Sequence, residues 1–277
     1  MATVNRVIEL ERLLASLDRQ SCKEFEVVVV DQNPDDRLLP LLQSHESLAI
    51  RHLRCSPGGS HARNVGLRVA SGDIIAFPDD DCWYPDNLLT SVVAWFDSHP
   101  ECSGLLATLR ERDGRPVGPR WPAALRVCTK EDIFKYAILP NGFLRNQAVR
   151  AIGCFNERIG IGAPTKYQSA EDFDYFLRPL ELGMRICYEP SLTVHHPDMH
   201  SVERLVQKSY SYALGGAYVM RLHNFSLRYF AGRVIRSMGG AIINLCKGNI
   251  LVSYSYLLRT AGQLRGYFFG ARDLGNR

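Results

Sequence analysis

Three consecutive carboxylates, Asp79-Asp80-Asp81, follow the apolar run Ile74-Ile75-Ala76-Phe77 and a proline. Adjacent carboxylates repel one another and add nothing to packing. A hard divalent cation relieves that repulsion, because Mg²⁺ and Mn²⁺ prefer oxygen ligands and often bridge carboxylates to substrate phosphates. At this spacing the alternate residues Asp79 and Asp81 are the expected ligands, while Asp80 points elsewhere. A solvated acidic turn is the competing reading.

Glu171-Asp172 opens a helical pattern, where carboxylates are favoured by the macrodipole whatever else they do. The chemical reading is a general base, one carboxylate taking a proton from an attacking hydroxyl. The glycine-rich segment Gly160–Pro164 reads as a flexible stretch that lets such a reactant approach. His195-His196 ends a strand pattern and, with His200, forms the densest histidine patch of the chain. No companion cysteine accompanies it, which argues against zinc. One histidine completing an oxygen-rich metal site and an ordinary core or surface histidine both fit.

The segment Ser60-His61-Ala62-Arg63-Asn64-Val65-Gly66 begins a helix after Gly58-Gly59. A helix N-terminus offers donors to phosphate or ribose, and Arg63 adds a charge-assisted contact. GxxxxGK[ST], GxGxxG and GxSxG patterns are missing from the sequence, which argues against an ATPase, a nicotinamide dehydrogenase and an α/β-hydrolase.

These residues need elements to hold them. Val7, Leu10, Leu13, Leu14 and Leu17 recur at helical spacing, predicting a helix from Asn5 to about Arg19. The β-branched run Phe25–Val30 suits a strand buried on both faces and ends at Asp31. Further strands are expected at Ile50–Arg54, Asp73–Phe77, Gly104–Leu109, Arg185–Glu189 and Leu192–His195, and helices at 61–70, 87–98 and 170–183. Arg110–Pro122, rich in Gly, Pro and Arg, reads as a mobile loop. Alternating strands and helices imply an α/β domain with a largely parallel sheet, in which ligands lie outside the carboxyl ends of the strands. Asp31 and Asp79–Asp81 each follow a hydrophobic strand, so that rule puts them on one edge.

From residue 200 onward the pattern is helical: Val202–His223, Leu227–Leu245 and Ile250–Phe269. The division expected is an α/β body over 1–200 and a basic amphipathic region over 201–277. Charge follows the same division. The C-terminal region carries eleven Lys/Arg against Glu203 and Asp273, whereas the rest holds 22 basic and 27 acidic side chains. An acidic, cation-binding body and a basic tail that meets an anionic surface follow from that asymmetry. Lys247 interrupts the most apolar stretch, so the tail is expected to lie on a membrane face or to cap the body rather than to span. The basic residues form no nucleic-acid recognition motif. Eight cysteines without a CxxC pair read as reduced thiols, and Met1–Gln20 lacks a signal-peptide pattern, so a cytoplasmic protein is expected.

Taken in order, these motifs resemble the family 2 glycosyltransferases, inverting enzymes of the GT-A fold. Thr3-Val4-Asn5-Arg6 is similar to the family's opening loop, and Phe25–Val30 with Asp31 to the strand and aspartate that hold the nucleoside. Ala62-Arg63-Asn64-x-Gly66 resembles the segment preceding the metal strand, and Asp79-Asp80-Asp81 the DxD element. Glu171-Asp172 matches the acidic pair whose aspartate is the usual base, and His196 before Pro197 a histidine that reaches the metal.

The resemblance implies a GT-A, Rossmann-like mixed sheet flanked by helices, and transfer of a sugar from a nucleotide-diphosphate donor. Thr3, Asn5, Asp31, Arg63, Asn64, Asp79 and Asp80 are then the donor-binding residues. Asp79, Asp81 and His196 hold Mg²⁺ or Mn²⁺, and Asp172 with Glu171 serves the acceptor, a saccharide or lipid-linked saccharide. Family members open with a hydrophobic strand before the Thr-x-Asn-Arg loop, and here only Met1–Val4 precede Asn5. Either the strand begins upstream of Met1 or it is shortened here, and the second case gives the alternative function, a catalytically weakened scaffold on a membrane surface.

Overall fold

The computed structural model describes residues 1–197 and 202–270, so His200 of the histidine patch lies outside the described residues. The chain separates into two compact units: Met1–Phe155 with 175–197, and 156–174 with the helices after residue 201.

In the first unit a three-stranded parallel sheet is built in the order β1 (Ala2–Thr3), β2 (Glu26–Asp31) and β3 (Ala49–Arg54). Strand β1 is two residues long, with Ala2 beside Val30 and Thr3 beside Asp31. β2 forms because four consecutive valines favour extended backbone and Val27, Val29 and Val30 are buried. Helix α1 (Ile8–Asp18) lays Leu10, Leu13, Leu14 and Leu17 into the same core, each nearly or wholly excluded from water. Burying each such leucine contributes roughly 1.5–3 kcal/mol. Helix α2 (Leu39–Ser44), with proline in its first turn, and α3 (Gly59–Leu67) complete this half.

A second sheet has five strands. β4 (Ile74–Ala76), β5 (Cys102–Arg110), β6 (Arg126–Val127), β7 (Gly142–Arg145) and β8 (Arg185–His195) lie in the order β4-β7-β5-β8-β6. The expected largely parallel sheet is corrected here: β7 inserts antiparallel between β4 and β5, and only β5 and β8 run parallel. Gly142 permits this insertion, since a Cβ there would overlap the Phe176 ring. The two short strands expected at 185–195 are one, continuous through a slip of register opposite Ala107/Thr108. Helix α4 (Leu88–Ser98) adds Leu88, Val92, Trp95 and Phe96 to the core, and α5 (Lys130–Tyr136) opens with a capping box between Thr129 and Asp132. Helix α6 (Asn146–Ile152) ends at Gly153, whose φ of 74° favours glycine.

Two further expectations change. Cys102 and Cys187 are joined as a disulfide across β5 and β8, their Cα atoms 6.6 Å apart, so reduced thiols describe only the other six cysteines. A separation of 85 residues hides that pairing until the strands are adjacent. The 110–122 stretch is anchored: Val117 N–H donates to Leu109 O at 3.0 Å, and the Trp121 indole stacks on Tyr188.

The second unit holds the start of α7 (Glu171–Glu181), then α8 (Val202–Leu222), α9 (Leu227–Cys246) and α10 (Ile250–Phe269). α9 and α10 form a hairpin. Gly248, with φ 75°, turns the chain while Asn249 N–H donates to Asn244 O at 2.9 Å, the six-to-one bond of a glycine helix stop. α10 approaches α8 closely because Gly262 and Gly266 present no side chain to the Tyr210 and Leu214 carbonyls. The 160–164 segment, expected to be flexible, is braced by Gln168, which accepts from Gly162 N–H and donates to Ala163 and Thr165 carbonyls. Among the described residues no helix is long and apolar enough to cross a membrane.

Candidate functional site

β4 ends at Ala76, and Phe77-Pro78 carries the chain out of the sheet to the aspartates. Asp79 is half-buried, whereas Asp80 and Asp81 are buried. A short antiparallel bridge then fixes the site: Trp83 and His195 exchange backbone hydrogen bonds of 3.0 Å in both directions, and their rings stack. This bridge delivers the end of β8 to the end of β4. His196 therefore lies beside Asp81, its Nε2 3.4 Å from Asp81 Oδ1.

The His196 ring is set for ligation. Its Nδ1 lies 2.8 Å from the Pro197 carbonyl, which can only accept, so Nδ1 carries the proton and a neutral ring keeps its lone pair on Nε2. Asp81 Oδ1, facing that nitrogen, is buried without a hydrogen-bond partner. A lone pair and an orphaned carboxylate oxygen facing each other is an arrangement that a cation relieves. Asp79, Asp81 and His196 each offer a ligand atom, all within 4.8 Å of one another. Two carboxylates and one imidazole suit Mn²⁺ or Mg²⁺ better than a soft metal.

Arginines that the sequence reading left out of the site surround this cluster. Arg6 Nη1 donates to Asp80 Oδ1 at 2.7 Å and to Asp81 Oδ2. Arg12 holds the Asp81 carbonyl at 2.6 Å and lies 4.3 Å from the Trp83 ring centre. The helical register that buries Leu10, Leu13 and Leu14 says nothing of where Arg12 lands. Arg6 stood within the opening-loop motif, and only the fold brings that loop to the aspartates. Arg63, from α3, reaches Asp79 Oδ1 at 3.4 Å. Burial pushes the Asp80 carboxyl above its ordinary range, with Asp81 and Asp79 adding to the rise and the Thr3 hydroxyl and Arg6 opposing it.

The remaining residues expected to bind the donor are placed unevenly. Asn5 takes a left-handed conformation, φ 58°, and its N–H donates to Asn33 Oδ1 at 2.8 Å. That bond ties the opening loop to the segment after β2. Asp31 is fully buried, its carboxylate accepting from Asn33 N–H and Nδ2 and meeting His52 Nε2 at 3.1 Å. It shapes the loop after β2 through Asn33. Asn64 is buried and grips the Phe155 backbone, accepting at 2.7 Å and donating at 3.0 Å. Its amide braces α3 rather than standing open to a ligand.

Glu171 and Asp172 belong to the second unit. Ala170, with φ 73°, sharply enters α7, where Glu171 is buried and Asp172 half-buried. Asp172 Oδ1 accepts from Phe173 N–H at 2.8 Å, inside the first turn of the helix. The next carboxylate, Asp174, is engaged with His223 Nε2 at 2.9 Å in a buried pair. Of the acidic residues opening α7, Asp172 is the most open.

Comparison with known proteins bears on the whole arrangement. A family model described as Glycosyl transferase family 2 matches residues 1–150. An uncharacterized glycosyltransferase of Haemophilus influenzae is 25% identical over 198 residues, covering 68% of this chain and 61% of that protein. The poly(ribitol-phosphate) beta-N-acetylglucosaminyltransferase TarS of Staphylococcus aureus is 32% identical over 121 residues, covering 42% of this chain and 21% of its own length. The chain thus spans less than two thirds of either relative. Among solved structures, TarS 1-349 in complex with UDP-GlcNAc superposes with a TM-score of 0.60 at 18% identity, covering 100% of this chain and 91% of that one. The mannosyltransferase PcManGT from Pyrobaculum calidifontis, in complex with GDP-Man and Mn2+, gives 0.63 at 16% identity, covering 97% and 86%.

Proposed function

The chain belongs to glycosyl transferase family 2 with a GT-A fold, and on that premise we propose that it is an inverting glycosyltransferase. It moves a sugar from a nucleotide-diphosphate donor to a hydroxyl of a saccharide or lipid-linked saccharide, in surface polysaccharide or glycoconjugate synthesis. The observation that carries the reading is the Asp79–Asp81–His196 cluster with its orphaned Asp81 oxygen. Neighbours crystallised with UDP-GlcNAc, or with GDP-Man and Mn2+, support the donor class and the cation.

Asp79, Asp81 and His196 are the residues that would hold Mg²⁺ or Mn²⁺. When bound, the cation supplies Lewis-acid stabilisation of negative charge on the leaving nucleoside diphosphate. Thr3, Asn5, Asp31, Arg63, Asn64 and Asp80 form or brace the donor-binding edge, Asp31 and Asn64 through the backbone they fix. Arg63 and Arg6 bring positive charge to where negative charge builds on the diphosphate oxygens. Asp172 removes the acceptor hydroxyl proton, assisted by the adjacent Glu171. The acceptor oxygen then bonds to the anomeric carbon as the bond to the diphosphate oxygen breaks on the opposite face, inverting that carbon.

In this reading residues 1–200 carry the donor chemistry, and the basic helices of 201–277 keep the enzyme peripheral on the cytoplasmic face of an anionic membrane. A second reading, a catalytically weakened scaffold, is favoured by Arg6, which already neutralises Asp80 and Asp81. Titration with Mn²⁺ and a panel of nucleotide sugars separates the two. Metal-dependent donor binding and turnover are expected; absence of both Mn²⁺ and donor binding would leave only the scaffold.

A further inference from the structure

The α9–α10 hairpin is built with its polarity reversed. Phe230 and Tyr267 stack on each other and are buried at its open end, but from there to the tip the buried positions are small or polar: Ser237 and Ala241 on α9, Ser253 and Ser255 on α10. Ser253 donates to the Ala241 carbonyl at 2.8 Å, and Gly240 leaves room for the Tyr256 ring. Close approach through small residues and interhelical hydrogen bonds is how helices associate when their surroundings are apolar. A hairpin shaped for water puts its large aliphatic residues at that seam.

Toward the tip the large aliphatic side chains face outward. Ile242, Ile243, Leu245, Ile250 and Leu251 cluster at the hairpin tip, each between 56% and 68% exposed. Exposed apolar residues continue along both helices, through Ile235 and Met238 on one and Leu257 and Phe268 on the other. Contiguous apolar surface of this extent marks a binding face.

Charge decides among occupants. No Asp or Glu occurs between Glu203 and Asp273, and the hairpin carries Arg228, Arg233, Arg236, Lys247, Arg259 and Arg265. Lys247 lies in the turn itself, exposed among the aliphatic side chains. A second copy of this face would bring like charges together. An anionic bilayer offers hydrocarbon to the aliphatic residues and headgroup charge to the cations, whose stems reach up to it.

We infer that the tip of the α9–α10 hairpin inserts into an anionic phospholipid surface, as a monotopic anchor that does not span. The inference rests on the membrane-peripheral part of the proposed function and names the surface responsible. It does not depend on the sugar chemistry.

The test is flotation of the full chain with vesicles of phosphatidylcholine, alone or mixed with phosphatidylglycerol, without donor, acceptor or metal. Binding to the mixed vesicles is expected, weakened by salt. The triple variant Leu245→Ser, Ile250→Ser, Leu251→Ser is expected to lose at least roughly tenfold in partitioning, with an unchanged circular dichroism spectrum. Lys247→Gln is expected to lose about fivefold on anionic vesicles only. No vesicle binding, or equal binding by the triple variant, overturns the inference. So does a concentration-dependent dimer that the triple variant abolishes while vesicles stay unbound, which would assign the face to a second copy. Because no substrate is present, a failed transfer assay and a failed flotation are separate results.

Discussion

The two units use apolar residues in opposite ways. In the first, Leu10, Leu13, Val29, Leu105 and Val194 are wholly excluded from water and frame a polar rim of aspartates and arginines. In the second, the α9–α10 hairpin keeps serine and glycine inside and isoleucine and leucine outside. Both patterns are amphipathic, and both look ordinary by composition. The difference teaches that the solvent facing an element is part of its folding problem: one pattern is closed by protein, the other leaves its aliphatic side chains exposed.

That contrast can be broken at several points. The largest expected effect is at the rim. Asp81→Asn is predicted to remove Mn²⁺ binding, read by electron paramagnetic resonance, and to lower turnover roughly 10²–10³-fold. Full turnover of this variant in EDTA would sink the cluster as a metal site. Next comes the core, where Leu13→Ala is predicted to cost about 2–5 kcal/mol in urea unfolding, from lost burial and the cavity left behind.

Arg6→Gln is predicted to destabilise the metal-free protein by about 1 kcal/mol, because Asp80 and Asp81 lose their counter-charge. Mn²⁺ should then raise the melting temperature more in this variant than in the parent; an equal rise would mean that Arg6 and the cation do not share a task. A smaller effect is expected at Ser71, whose hydroxyl and backbone N–H hold the Glu26 carboxyl below its ordinary value of 4.5. Stability from a depressed carboxylate is present above that value and fades as pH falls through the lower folded one. Ser71→Ala should cost less than about 1 kcal/mol at neutral pH, the group being largely solvated. The gap between variant and parent should close in acid, as unfolding at several pH values would show. Smallest of all, Ile243→Ser should shift stability in vesicle-free buffer by less than about 0.5 kcal/mol, since its side chain already faces water. A loss comparable to Leu13→Ala would erase the distinction between the units.

Much of the fold was legible locally. Four valines, a leucine stripe and an apolar run ending in aspartates specify β2, α1 and β4 by period and propensity alone, and the three C-terminal helices begin within a residue of where their periodicity starts. The elements that escaped notice are short or set by distant partners. β7 is four residues long and exists as a strand because β4 and β5 flank it. α5 and α6 span seven residues each, too few for a period to show.

The same division runs through the site. Residue type and spacing pointed to Asp79 and Asp81 as the expected ligands, with a solvated turn as the competing reading, and His196 joined them only through the resemblance in motif order. The sequence alone also determined the reversed charge of the C-terminal region. Only the tertiary structure decided that the Trp83–His195 bridge brings the histidine to the aspartates, that Arg6 and Arg12 surround them, and that Asn64 and Asp31 are occupied by the protein's own groups. These are contacts between residues tens of positions apart, and their geometry depends on strand order and register, which no local pattern encodes. Which face of the α9–α10 hairpin would be outward was likewise decided by packing. Small residues let the helices approach, and the large ones were left to meet whatever lies outside.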